Sequence, residues 1–408
     1  MTQCFECCRC GQQPCGCGHS LYCGDVLDVL AALSEQSVHC VVTSPPYWAL
    51  RDYGVAGQIG LENTPEQYVA KMVEVFRGVW RVLRDEGTLW LNLGDSYSSS
   101  GSGSGDGGRS TGLEGGLKTQ AAARHGHKRR IPEYLKPKDL CGIPWRVAFA
   151  LHADGWYLRS DIIWSKPNPM PESITDRPTK AHEYLFLLSK QPRYFYDAEA
   201  IREPVKPSSG KIRCPNYSHH AGVRLGAPTI QYGRIVGANK RSVWTVPSHP
   251  FPQAHFATFP PALIEPCILA GTSDEGCCPE CGAPWVRAVE KRRVRTRPGD
   301  NTKIAGTSEL EHGNRDPGRH ITATTTTGWQ PGCNCSRDTT YGCGAGPGDE
   351  GRVYKPFKPI PCTVLDPFIG SGTTSVVAQA NGRRSIGIDL NSKYLDMAVP
   401  RLTQPTLF

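Results

Sequence analysis

At 408 residues the chain suits one large α/β domain with insertions or two modest domains, and 44 glycines and 34 prolines imply long loops around that core. The net charge of +8 is clustered, most densely at 124–138 and 287–297, which fits a phosphate-bearing partner or a solvated basic loop. No stretch resembles a secretory signal or approaches the ~20 apolar residues of a membrane span, so a cytoplasmic protein with no membrane partner is expected, whose 18 cysteines are reduced thiols.

In chain order, Cys4, Cys7, Cys8, Cys10, Cys15 and Cys17 come first, a C-x-x-C and C-x-C grouping that reads as a zinc site or a reactive tail. Residues 21–23 read as a strand, Gly24-Asp25 as a turn and 26–33 as a helix. The apolar run 38–42 reads as a buried parallel strand that enters Thr43-Ser44-Pro45-Pro46-Tyr47-Trp48. Two prolines fix φ and remove two backbone donors, so the turn is stiff and rich in acceptors beside aromatic rings. Such a turn suits a flat heterocycle carrying an amino group, or simply ends a strand with core aromatics.

Thr64 as N-cap, Pro65 at the first position and Gln67 in a capping box start a helix. Tyr68, Met72, Val75, Phe76, Val79 and Leu83 form its core stripe, Gly87 ends it, and 88–93 is the next strand. The β-α-β-α-β pattern implies a parallel sheet with right-handed crossovers. Residues 98–116 are a Ser/Gly-rich loop. A helix at 143–152, a strand at 157–164, a stiff turn Trp164-Ser165-Lys166-Pro167-Asn168-Pro169 and a strand at 182–188 follow. Residues 202–241 are irregular and basic, either a module that reads a partner or a loopy insertion. A helix from 259 to 270 is ended by Gly271.

Cys278-Pro279-Glu280-Cys281-Gly282 is a zinc-knuckle pattern whose natural partner is Cys333-Asn334-Cys335, with Cys277 and Cys343 in reserve. The basic, Thr-rich stretch between the pairs has no core character. Residues 363–366 read as a strand, Pro367-Phe368-Ile369-Gly370-Ser371-Gly372-Thr373-Thr374 as a Gly-rich turn, 375–380 as a helix and 385–389 as a strand tipped by Asp389. This is a nucleotide-binding β-α-β layout in which glycines admit the ligand and the acid takes ribose hydroxyls. The pyrophosphate fingerprint and the Walker lysine are absent, which favours an adenosyl ligand without phosphates.

Together, Asp366-Pro367-Phe368-Ile369-Gly370-Ser371-Gly372-Thr373 and Thr43-Ser44-Pro45-Pro46-Tyr47 resemble the signature motifs of S-adenosylmethionine-dependent DNA amino-methyltransferases. The catalytic motif comes first, as in their permuted β class. The resemblance implies a Rossmann-like, doubly wound, mostly parallel sheet, circularly permuted; the zinc-ribbon-like insertion read from the cysteine pairs and the Cys-rich N-terminus lie outside the family's common core. The chain then divides into a Cys-rich segment at 1–20, a catalytic half at 21–200 with a mobile loop at 98–135, and a target-recognition region at 201–243. The core resumes at 244–275, the zinc-bearing insertion with a flexible basic loop occupies 276–345, and the cofactor half is 360–408.

By the same resemblance Ser44, Pro45, Pro46 and Tyr47 hold the target amine of a base flipped out of double-stranded DNA. Asp25, Asp366, Phe368, Gly370, Gly372, Thr373 and Asp389 form the cofactor site; Cys278, Cys281, Cys333 and Cys335 are the zinc ligands expected from their spacing alone. The Ser-Pro-Pro-Tyr form implies N4 of cytosine, with N6 of adenine as the alternative. A restriction enzyme is the expected companion, in a bacterial or phage-infected cell. The rival readings are a zinc-bearing nucleic-acid binder without turnover, and methylation of RNA or a protein amide.

Overall fold

The strand that leads into Ser44 is apolar on both faces because it lies in the middle of a sheet covered on both sides. The structure, a computed structural model, describes residues 3–6, 18–98, 134–204, 238–248, 259–295, 320–338 and 354–403. In chain order the first half contains β1 (Gln3–Glu6), β2 (His19–Cys23), α1 (Val26–Ala32), β3 (Val38–Thr43), α2 (Pro65–Val82), β4 (Leu83–Leu93), α3 (Ile143–Ala153), β5 (Tyr157–Ser165), β6 (His182–Ser189) and a 3-10 turn (Ala198–Ile201). After it come β7 (Val243–Thr245), α4 (Pro261–Gly271), β8 (Val286–Arg295), β9 (His320–Gln330), β10 (Ser336–Asp338), β11 (Tyr354–Pro356), β12 (Thr363–Asp366), α5 (Thr373–Ala380), β13 (Arg384–Asp389) and α6 (Ser392–Thr403).

Nine of these strands form one sheet in the order β1-β2-β13-β12-β3-β4-β6-β5-β7. The run from β2 through β4 is parallel, and β6 lies antiparallel between β4 and β5. Successive residues face opposite layers, as strand geometry requires. Val41, Leu89, Leu91, Phe186 and Leu188 pack with α1, α2 and α3. Val42, Trp90, Leu185 and Leu187 pack with α4 and α5 on the other face.

The expected helix beginning at Thr64 is present, and the Thr64 hydroxyl accepts from Gln67 N–H at 3.3 Å. It ends earlier than the stripe suggested. Leu83 is already extended and pairs with Val38, so helix passes into strand without a loop. Gly87 therefore sits inside β4 and is no helix stop. A Cβ there would lie 2.5 Å from Leu83 Cδ1 and 2.9 Å from the His39 carbonyl, so the glycine serves close packing.

Part of the basic, Thr-rich insertion also forms regular structure. Its two flanks pair as the antiparallel hairpin β8-β9. Arg287 ties that hairpin to the core, donating to both oxygens of buried Asp197 at 2.8 Å and lying over the Trp329 ring. One of the clustered basic residues is thus spent on an internal ion pair. The sequence reading also lacked β7 and α6. The cysteines from Cys7 to Cys17, most of the loop at 98–135, most of the recognition region at 201–243 and Cys343 lie outside the described residues. Among the described residues no helix is long and apolar enough to cross a membrane.

Helix α4 meets the sheet at Gly271, where a Cβ would stand 2.5 Å from Thr88 Oγ1 and 2.6 Å from Cys40 Sγ. Gly271→Ala should therefore cost about 1–3 kcal/mol of stability by overpacking, read as a lower denaturant midpoint with an unchanged slope.

Candidate active site

From β3 the chain crosses over α2 to β4 on one side, and from β12 it crosses over α5 to β13 on the other. The carboxyl ends of β3 and β12 are therefore neighbours at a topological switch point, the place where ligands enter open parallel sheets. The Ser44 turn leaves one end and the Gly-rich turn the other. A cavity of about 350 Å³ opens there, lined by both turns and by Asp25, Phe259 and Glu183. Its size suits a small-molecule site.

The two turns are joined by one buried side chain. Asp366 accepts from Thr43 Oγ1 and Thr374 Oγ1, each at 2.7 Å, and from Phe368 N–H at 3.0 Å. Burial pushes its carboxyl up to about 6, against the pull of those three donors. Asp366 is a brace beneath the cavity and does not line it. Gly372 does not line it either. At φ 87° it takes a left-handed conformation before α5, and a Cβ would meet Ala398 Cβ of α6 at 2.7 Å. The other residues expected at the cofactor, Asp25, Phe368, Gly370, Thr373 and Asp389, all line the cavity.

Asp389 turns its carboxylate back on the Gly-rich turn, accepting from Gly370 N–H at 2.9 Å and Asn391 N–H at 2.8 Å. Asp25 caps α1 by accepting from Leu27 N–H at 2.8 Å. Tyr53 and Tyr394, which the sequence did not single out, meet edge to face at 6.3 Å on the cavity wall.

Across the cavity, the Pro-Pro turn is held from below. Tyr68, read from its spacing as core only, donates its hydroxyl to the Pro46 carbonyl at 2.9 Å. Trp48 is buried and donates to the Glu62 carbonyl, so it belongs to the core and not to the cavity wall. Tyr47 points its hydroxyl inward. Ser44 Oγ donates to that hydroxyl at 3.2 Å, and the hydroxyl donates to Glu183 Oε2 at 2.7 Å. Asn92 donates to the same carboxylate oxygen at 3.2 Å, and Lys166 from the stiff turn pairs with the other oxygen. Gly94 makes room for the ring, since a Cβ there would lie 2.5 Å from it.

Glu183, Asn92 and Gly94 were therefore missed. The available signals were an asparagine inside the apolar run Leu89-Trp90-Leu91-Asn92-Leu93 and an acid at the head of an apolar strand. Burial next to the polar turn of another strand is what makes them part of the site.

Cys278, Cys281, Cys333 and Cys335 converge, their sulfurs all within 4.8 Å of one another. Gly282, at φ 72°, closes the knuckle by donating its N–H to the Cys278 carbonyl at 2.8 Å. The cluster sits toward the amino end of the sheet. Gly282 O accepts from His39 Nε2 near the start of β3, and His39 Nδ1 accepts from Thr363 N–H at the start of β12. Both ring nitrogens are thus engaged, so the neighbouring trio His39, Cys277 and Cys362 offers two thiols and no free imidazole. The Cys277 thiol is pushed down to about 5, chiefly by its hydrogen bond with Cys362, whose own thiol is pushed up.

A mostly parallel sheet, with a Gly-rich turn and an acid-tipped strand sharing one cavity with a Pro-Pro turn, defines an α/β protein of the methyltransferase type. Among solved structures, PvuII DNA methyltransferase (cytosine-N4-specific) shares the fold, with a TM-score of 0.50 and 15% identity over 96% of this chain and 88% of that one. Residues 38–278 and 362–400 match the family described as DNA methylase, the N6/N4 methylases. The type II methyltransferase M.Cfr9I of Citrobacter freundii is 39% identical across 94% of this chain and 88% of its own length. M.XycI of Xanthomonas campestris pv. cyanopsidis is likewise 39% identical with the same coverage, and M.SmaI of Serratia marcescens is 36% identical over 93% and 89%. The chain belongs to this family of DNA amino-methyltransferases.

Burial raises the Asp389 carboxyl from 3.8 to about 6. A raised acid in the folded state favours the protonated form there, so its contribution to stability is full below about pH 4 and is lost as pH rises through about 6. Stability of Asp389→Asn relative to the parent should therefore climb between pH 4 and 6 and level off above, measured by urea unfolding at each pH.

Proposed function

We propose that the protein transfers the methyl group of S-adenosylmethionine to the exocyclic N4 amine of cytosine in double-stranded DNA, on a base flipped into the cavity. The observation that carries this reading is the meeting of Ser44-Pro45-Pro46-Tyr47 and the Phe368–Gly370 turn on one cavity of about 350 Å³. When bound, the cofactor supplies an electrophilic methyl group. Phe368, Gly370 and Thr373 would hold its methionine and ribose part, Asp389 would accept from ribose hydroxyls, and Asp25 would contact the adenine. Asp366 and Gly372 act on the cofactor through the shape of the turn.

The amine of cytosine is a weak nucleophile because its lone pair is delocalised into the ring. The Ser44 hydroxyl oxygen and the Pro45 carbonyl accept from it and draw that pair back onto nitrogen. Tyr47 borders the base, and the braced turn holds nitrogen in line for displacement, where positioning carries most of the rate. The order of the two motifs along the chain fits the permuted β class. The relatives carry type II methyltransferase names, which supports a restriction enzyme as companion.

The four cysteines fit a structural zinc ion. Tetrahedral thiolate coordination with Zn–S of about 2.3 Å separates sulfurs by about 3.8 Å, within the span of this cluster. The ion would cross-link the knuckle to the segment after β9, near the amino end of the sheet and away from the chemistry.

Methylation of mixed-sequence duplex DNA followed by nucleoside analysis should yield N4-methylcytosine; N6-methyladenine as sole product would move the reading to adenine. Product in RNA or protein alone would reject DNA as substrate. Ser44→Ala should keep cofactor affinity while lowering turnover by about a hundredfold or more. Purified protein should contain about one zinc per chain by elemental analysis if the tetrathiolate site is filled. Cys281→Ser should lose that zinc and unfold at a lower temperature.

A further inference from the structure

We infer that Glu183, ion-paired with Lys166, is the terminal proton acceptor for the methylated amine, reached through Ser44 and Tyr47. This rests on the reading of Ser44 as the residue that accepts from the target amine.

The hydrogen bonds around Ser44 have one direction. Ser44 Oγ–H donates to Tyr47 at 3.2 Å, and Tyr47, with a single proton to give, has the Glu183 carboxylate at 2.7 Å and the Asn92 amide oxygen at 3.1 Å. The shorter, charge-assisted bond takes it. Asn92 gives its own amide N–H groups to Glu183 Oε2 and to the Tyr184 carbonyl, which fixes it beside the pair. With its proton turned toward Tyr47, Ser44 leaves lone pairs for an amine in the cavity. The stiff turn of residues 164–169 enters here: Lys166 lies over the Trp164 ring at 4.3 Å and reaches the far oxygen of Glu183. Asn168 fixes that turn by accepting from Ser248 N–H at 3.0 Å and donating to its carbonyl at 3.1 Å.

The chemistry requires such an outlet. The amine lone pair forms the new N–C bond, the C–S bonding pair stays on sulfur, and nitrogen becomes a cation bearing one proton too many. That proton passes to Ser44 Oγ, the Ser44 proton to the Tyr47 oxygen, and the Tyr47 proton to Glu183. Both hydroxyls end neutral with their O–H bonds reversed, and Glu183 ends as the neutral acid, which returns its proton to solvent. Burial and the neighbouring carboxylate hold the Tyr47 phenol well above its usual range, so Tyr47 passes a proton on without resting as an anion.

The test is single-turnover transfer of labelled methyl to duplex DNA, with cofactor and DNA affinities measured in parallel. Glu183→Gln should bind both ligands within about twofold of the parent and transfer about a hundredfold more slowly, as for a lost general base. Glu183→Asp should recover part of that rate. Tyr47→Phe should show a comparable loss, and the double variant should be no slower than the slower single, since both interrupt one chain. A Glu183→Gln rate within threefold of the parent, or losses that multiply in the double variant, would overturn the relay. A parent protein that methylates no DNA would instead remove the reading beneath it.

Discussion

A buried carboxylate holds this molecule in working order. Thr43 and Asp366 are 323 residues apart, yet Asp366 accepts from Thr43, from Thr374 and from Phe368 N–H at once. One bond reaches the strand that delivers Ser44, and the other two reach the turn and helix on the other side of the cavity. A carboxylate without such donors would be costly to bury, and the donors without the carboxylate would be orphaned. The two halves of the site are therefore registered to each other by the need to satisfy one charge.

The sheet separates two kinds of order. At its carboxyl end lie turns built for ligands, with the cavity, the inward Tyr47 and the Glu183–Lys166 pair. Toward its amino end lies the cysteine cluster, anchored through His39 to the starts of β3 and β12. Arg287 and Asp197 add a second anchor for the hairpin beside it. The cavity and the cysteine cluster thus lie at opposite ends of the same strands, β3 and β12.

Much of this was legible in residue order. Thr64-Pro65 announced α2 because a cap and a first-turn proline are local signals. The continuous apolar runs announced buried strands because a covered sheet needs apolar side chains on both faces. The paired cysteines announced convergence because a short knuckle brings thiols together before any tertiary contact is made. Other features misled for equally physical reasons. Gly87 looked like a helix stop, but its reason is a neighbour, Leu83, folded back across the same strand. Tyr68 fits a core stripe by spacing, and its hydroxyl bond to Pro46 depends on a turn 22 residues away.

By itself the sequence determined the chemistry at hand: a stiff acceptor turn, a Gly-rich turn with an acid beyond it, and two thiol pairs, each written in adjacent residues. The tertiary structure decided which of those groups share a cavity and which support it. Asp366 and Gly372 stand in the same motif as Phe368 and Gly370 but face the interior, because Asp366 ends the buried strand β12 and Gly372 starts α5 against Ala398 of α6, while Phe368 and Gly370 lie in the turn between. Glu183 stands 136 residues from Tyr47 and reaches it only because β6 runs antiparallel beside β4. Partnership across a sheet depends on register, and register is a property of the assembled strands.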